Sequence, residues 1–278
     1  MGNEQGYINM ALGEKYIDES FNFIKSLRKI NDLRPVSVVT EDKWFQYAKS
    51  KGVYDKIITL KYDKEYLDIC NHHYERYGIL PKLYLPDNLP YEHNIMVDVD
   101  ILCIGDPEKV WKFFMDTGYS LCTTGLVEDH KWHFGYIDEV SKRLSLKLSH
   151  TNGGMIYFKK SDEMKIVSGV LKDVFKNYTK YGCRKQFKSG GMCSEILFSV
   201  AMAKMGYKPL DFYEYPIQTF SYLNNISVPN FTQTANFNKV VIDKPYSFIH
   251  IPEKRESKIY RTIYRNLFGH DEPKKEKY

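Results

Sequence analysis

Ile95-Met96-Val97-Asp98-Val99-Asp100-Ile101-Leu102-Cys103-Ile104 sets two carboxylates into an otherwise unbroken apolar run. Charge buried without compensation costs several kcal/mol. Asp98 and Asp100 must therefore meet a cation or lie at the open rim of a sheet. On an extended chain, residues i and i+2 project to the same side. The two side chains can then converge on one hard divalent ion, directly or through water, and carboxylate oxygens suit Mg²⁺ or Mn²⁺. The plain alternative is a strand end carrying two solvated aspartates.

Upstream of this run, short β-like stretches alternate with helical spacing. Tyr7–Ala11 reads as a strand, and Ile17–Arg28 carries apolar residues at helical intervals (Phe21, Ile24, Leu27). Pro35 closes that unit. Val36–Thr40 is a β-branched strand, a helix follows from about Asp42, and Lys56–Leu60 is a third strand. Downstream, Pro107–Met115 is a helix with Pro107 in its first turn, Met155–Phe158 a strand, and Ser194–Met205 a helix ended by Gly206. Strands alternating with helices predict right-handed crossovers and an α/β fold with a mostly parallel sheet, whose ligands bind where the loops leave the carboxyl ends of the strands.

Composition narrows the function classes. The 278 residues are 43% hydrophobic and 27% charged, as in an ordinary globular chain. The net charge of +5 is mild, and its one basic cluster lies at the C-terminus, so nucleic acid is a less favoured partner. Apolar runs are too short to cross a bilayer, and the N-terminus has neither a basic start nor an apolar segment, which predicts a cytoplasmic protein. Five cysteines (Cys70, Cys103, Cys122, Cys183, Cys193) without CxxC spacing read as reduced thiols rather than a zinc site. No repeat or Gly/Ser linker divides the chain.

The neighbourhood of the two aspartates carries a family resemblance. Lys82-Leu83-Tyr84-Leu85-Pro86, Leu89-Pro90, the Asp-x-Asp strand and Gly105-Asp106-Pro107 follow one another in that order. Thr151-Asn152-Gly153-Gly154-Met155-Ile156-Tyr157-Phe158 and Phe248-Ile249-His250 come later. This series resembles the GT-A glycosyltransferases related to glycogenin and to the bacterial lipopolysaccharide galactosyl- and glucosyltransferases, over roughly residues 7–255. The resemblance implies a GT-A domain over 1–256, with a nucleotide-sugar half at 1–104 and an acceptor-side half at 105–256. A basic helix and tail follow at 257–278. It further implies that Asp98, Asp100 and His250 hold Mn²⁺ or Mg²⁺ on the diphosphate of a nucleotide sugar. Val99 would lie by the ribose, Ala11 and Tyr16 by the base, and Lys82 by the donor. Asn152, Gly153 and Gly154 would lie near the sugar and acceptor. The implied reaction moves a hexose from UDP-glucose or UDP-galactose to a hydroxyl acceptor (a glycan, a lipid-linked sugar or another hydroxyl), with retention. Two departures stand out. Gly13, followed by Glu14, occupies the place of the family's acidic residue, and the terminal family motif is replaced by His250-Ile251-Pro252-Glu253-Lys254.

Other candidates have plainer readings. A lone histidine in an apolar strand, as His250 is, is often a satisfied core residue. Glu195 suits a helix N-terminus and equally an active-site carboxylate facing the acceptor. His72, His73, His130 and His133 lack a metal-binding helical frame, although Trp132-His133-Phe134 offers an acceptor wall. Ser189-Gly190-Gly191-Met192 lacks the Gly-Lys-Ser/Thr of a phosphate loop and reads as a flexible loop. Ser257–Phe268 reads as a helix with Ile259, Ile263 and Leu267 on one stripe and Lys258, Arg261 and Arg265 on another. It either packs on the domain or rests on an anionic membrane surface. The rival functions are a nucleotidyltransferase-like enzyme, which would need a glycine-rich loop that Leu12-Gly13-Glu14-Lys15 does not supply, and a non-catalytic nucleotide-sugar-binding module.

Overall fold

Three β-branched or aromatic strands with helices between them begin the chain, and each feeds the next through a crossover. In the computed structural model they are β1 (Gln5–Met10), α1 (Glu14–Lys29), β2 (Val36–Thr40), a 3₁₀ turn at Asp42–Trp44, α2 (Phe45–Ser50) and β3 (Lys56–Thr59). The structure describes residues 4–61, 80–126, 131–132, 135–178, 194–212, 214–220, 246–251 and 258–269. Cys70, Cys183, Cys193, His72, His73, His130, His133, Ser189–Met192 and Lys254 lie outside them.

The remaining elements are α3 (Leu80–Tyr84), β4 (His93–Val97), β5 (Ile101–Cys103), α4 (Pro107–Asp116), β6 (Leu121–Leu126), β7 (Lys131–Trp132) and β8 (Gly135–Tyr136). They continue with α5 (Ile137–Leu144), β9 (His150–Lys159), α6 (Asp162–Lys176), α7 (Ser194–Lys204), β10 (Leu210–Asp211), β11 (Gln218–Phe220), β12 (Phe248–His250) and α8 (Lys258–Phe268). The main sheet has the order β10-β6-β9-β4-β1-β2-β3. Its pairings are parallel except those of β9, which runs antiparallel to both β4 and β6. The mostly parallel α/β architecture read from the sequence is the one observed.

Local chemistry accounts for the helix ends. Asp106 caps α4 by accepting from the Glu108 N–H at 2.9 Å, with Pro107 as the first helical residue. Ser161 caps α6 through the Met164 N–H at 3.1 Å. Helix α7 is apolar around its circumference, and Ile196 to Met202 are all buried, as expected of a helix enclosed on every side. Gly206, at φ 72°, follows its end. Cys103 and Cys122 are buried free thiols, and burial pushes the Cys122 thiol up to about 12.

A polar clamp ties the first helix to the sheet centre. Asn9 on β1 donates to the Val97 carbonyl on β4 at 2.8 Å and accepts from Ser20 Oγ on α1 at 2.8 Å. Ser26 Oγ accepts the Cys103 N–H at 2.9 Å, which fixes β5 against α1. The Asp-x-Asp stretch differs here from the sequence expectation. It is not extended: Asp98–Asp100 form a turn closed by the Ile101 N–H on the Asp98 carbonyl at 3.2 Å. The chain leaves the main sheet at this turn and enters a second sheet of order β11-β12-β5. The carboxylates therefore sit on a corner between two sheets, where they need not be buried.

Helix α8 packs on that second sheet. Ile263 and Tyr264 are buried with Leu102, Ile249 and Ile251. Lys25 on α1 donates to the Tyr264 hydroxyl at 2.6 Å and lies within 5.0 Å of the ring centres of Phe21, Tyr264 and Phe268. Arg261 and Arg265 face solvent. Among the described residues no helix is long and apolar enough to cross a membrane. Replacing Tyr264 by alanine removes a fully buried ring together with the Lys25 hydrogen bond. A loss of about 3 kcal/mol is expected in urea denaturation, and an unchanged midpoint would show that α8 is not docked in solution.

Candidate metal centre and donor cleft

Asp98, Asp100 and His250 come together although 150 residues separate the last two. Strand β12 pairs antiparallel with β5, His250 opposite Ile101, and the Ile251 N–H donates to the Asp100 carbonyl at 2.9 Å. One ligand atom from each of the three side chains lies within 4.8 Å of the others. His250 Nε2 is 3.2 Å from Asp100 Oδ1. That oxygen is buried, whereas Asp98 and Asp100 as residues are half-buried. Two carboxylates and an imidazole converging at a partly open corner are a donor set suited to Mn²⁺ or Mg²⁺.

Lys82, 6% exposed on α3, supplies the neighbouring positive charge. Its Nζ donates to the Gly153 carbonyl at 2.7 Å and lies 3.4 Å from Asp98 Oδ1. With a neutral imidazole, the four side chains remain net negative, which leaves room for a cation.

Strand β9 is irregular at this point. Its pairing with β6 passes from Ile156–Thr123 to Asn152–Thr124, so Gly153, Gly154 and Met155 fall out of register. The Gly153 carbonyl accepts from Lys82 Nζ, while the Gly154 carbonyl accepts the Asp98 N–H at 2.8 Å, one step beyond the Val97–Met155 pair with β4. Both glycines are closely approached by neighbouring side chains. A Cβ on Gly154 would stand 2.8 Å from His250 Cε1, and one on Gly153 would stand 2.8 Å from Ser194 Oγ. Asn152 Oδ1 accepts the Gly154 N–H at 2.9 Å and Gln218 Nε2 at 3.1 Å. Glu195 lies in the first turn of α7, where its carbonyl accepts Thr151 Oγ1 at 2.6 Å.

A cleft of about 610 Å³ opens beside Asp98, Val99 and Asp100. Tyr16, 45% exposed, and Glu19 line it from α1, and Glu41, Lys43 and Trp44 line it from the loop after β2. Ala11 does not reach the cleft. It is fully buried behind it, with its N–H on the Val39 carbonyl at 2.9 Å and its carbonyl accepting Thr40 Oγ1 at 2.7 Å. Gly13 adopts φ 147°, a conformation that side-chain-bearing residues rarely adopt. Glu14 is exposed and does not line the cleft; besides Asp98 and Asp100, the acidic residues that do are Glu19 and Glu41. Glu41, Lys43 and Trp44 were missed from sequence, although their place at the carboxyl end of a parallel strand was a usable signal. Gln218 had no local signal.

Burial pulls the His250 imidazole down, but the hydrogen bond with Asp100 and the charges of Asp100 and Asp98 outweigh it, so its pKa is raised above the ordinary value. A proton then competes with a cation for the same nitrogen, and Mn²⁺ affinity should weaken about tenfold per pH unit below that raised pKa. The metal-free protein should show the opposite trend. The ion pair contributes stability in full below the ordinary histidine pKa and loses it as pH rises through the raised one. Calorimetric Mn²⁺ titration and metal-free melting of wild type and His250→Gln, from about pH 5 to about pH 9, check both. Parallel pH trends in the two experiments would exclude His250 as the shared group.

No protein-family model and no curated protein sequence matches the chain. Among solved structures, the galactosyltransferase LgtC in complex with donor and acceptor sugar analogues matches with a TM-score of 0.61 at 11% identity, over 95% of each chain. An active-site mutant of LgtC gives 0.60 with the same identity and coverage. The bifunctional glycosyltransferase WbbM matches at 0.52 and 12% identity, over 95% of this chain and 50% of that one. The protein therefore has the GT-A fold of LgtC, with the Asp98–Asp100 corner at the carboxyl edge of its central sheet.

Proposed function

We propose that the protein is a metal-dependent glycosyltransferase that moves a hexose from UDP-glucose or UDP-galactose to a hydroxyl acceptor, with retention at the anomeric carbon. The observation that carries this reading is the Asp98–Asp100–His250 cluster beside the cleft, at the carboxyl edge of the parallel strands. When bound there, Mn²⁺ or Mg²⁺ stabilises the negative charge of the departing nucleoside diphosphate. Tyr16 and Val99 border the nucleoside, with Ala11 supporting the wall behind them. Lys82 holds Asp98 and the Gly153 carbonyl in place on the donor side. Gly153 and Gly154 let the sugar approach the backbone closely, and the Asn152 carboxamide is placed to hydrogen-bond a hydroxyl. Positioning of the acceptor beside the donor favours its attack over hydrolysis. A retaining transfer does not require Glu195 as a base; its carboxylate orients the acceptor. The acceptor is a glycan, a lipid-linked sugar or another hydroxyl compound. A cytoplasmic protein resting on a membrane through Arg261 and Arg265 suits the lipid-linked case.

A panel of UDP-, GDP- and TDP-sugars with Mn²⁺, scored by released nucleotide, identifies the donor. Asp100→Ala should reduce release to background while the protein stays folded, and chelator should do the same to wild type. Full activity in excess chelator overturns the metal reading. Glu195→Gln should cost less than about 100-fold, the low end for loss of a general base. A product of inverted configuration together with an inactive Glu195→Gln variant would instead make Glu195 the base. Co-sedimentation with anionic liposomes, lost at high salt or without residues 257–278, would support membrane contact; no sedimentation at low salt would remove it.

A further inference from the structure

Gln218 is 1% exposed, on the short strand β11. Its Nε2 donates to Thr124 Oγ1 at 2.6 Å and to Asn152 Oδ1 at 3.1 Å. Its Oε1 is buried and has no hydrogen-bond partner. Buried amide acceptors are rarely left unpaired, so the arrangement requires a reason.

The reason lies in the order of constraint. The Gly154 backbone N–H can only donate, so the atom of Asn152 that meets it at 2.9 Å must be the oxygen. Gln218 faces that same oxygen and must therefore present its NH₂ group. Its own oxygen is turned to the other side, where nothing donates to it. The Gln218 amide is thus oriented by Asn152 and not by its own satisfaction. Asn152 Oδ1 is doubly engaged, while Nδ2 makes no hydrogen bond to the described residues, and Asn152 is only half-buried.

We infer that Gln218 is a positioning residue for the transferred sugar: it locks the Asn152 carboxamide so that Nδ2 is presented as a hydrogen-bond donor to a sugar hydroxyl. This rests on the glycosyl-transfer reading above. Register supports it. Thr124 and Asn152 are the first pair after the irregularity in β9, so one buried amide bridges β6, β9 and the second sheet at the point where the backbone is released around the site.

Gln218→Glu tests the lock, because a carboxylate of the same shape accepts where Gln218 donates and draws the Asn152 NH₂ inward. Donor hydrolysis should fall in kcat/KM by about tenfold or more, while UDP affinity with Mn²⁺ stays within about twofold. In ¹⁵N spectra, the Asn152 side-chain amide pair, assigned with Asn152→Asp, should exchange freely with solvent in wild type and become protected in Gln218→Glu. If the buried carboxylate prevents folding, Gln218→Met keeps the volume and should lower kcat/KM with UDP affinity retained. Unchanged Asn152 amide exchange in Gln218→Glu overturns the lock. Unchanged hydrolysis, or an equal loss of UDP affinity, overturns its role at the sugar. Wild type that hydrolyses no donor refutes the transfer reading instead, and the amide spectra still decide the lock.

Discussion

The corner at Asp98–Asp100 is the constraint on which the rest of the site depends. Two carboxylates cannot be left uncompensated against an apolar sheet. Here the chain turns out of the main sheet at the end of β4, and every neighbour of the turn supplies something to it. Lys82 brings a buried ammonium, β12 brings His250, and the irregular part of β9 brings a carbonyl for the Asp98 N–H. The same turn carries the chain from β4 in the main sheet to β5 in the second.

The glycines of β9 follow from that crowding. With Lys82, Ser194, His250 and Asn152 all reaching the same stretch of strand, a side chain at 153 or 154 would displace its neighbours. The bulge breaks the ladder with β6, and α7 is held close by the Thr151 hydroxyl on its first turn. Close packing and charge compensation therefore concentrate in one region.

Helix α8 contributes from a distance. By covering Leu102, Ile249 and Ile251 it buries the far side of the second sheet, whose near side carries His250. The aromatic seat around Lys25 ties this helix to α1, the same helix whose Tyr16 and Glu19 line the cleft. The C-terminal helix and the candidate metal centre thus lie on opposite faces of the same strand, β12.

Local patterns determined much of this. The alternation of β-branched runs with helical spacing over residues 7–60, the Pro107 helix start and the Gly206 stop are short-range effects, and the observed boundaries lie within a few residues of them. The anomaly of two aspartates in an apolar run also marked the site, because charge in such a run needs a partner whatever the fold. The tertiary structure decided which partners these are. The turn at 98–100, the approach of His250 by antiparallel pairing and the bulge at Gly153–Gly154 depend on strand register between distant segments, and short-range spacing does not encode register. The same holds for Trp44, whose place at a strand end becomes a cleft wall only once β1, β2 and β4 lie side by side. It holds most of all for Gln218, whose orientation is dictated by an oxygen 66 residues away in the chain.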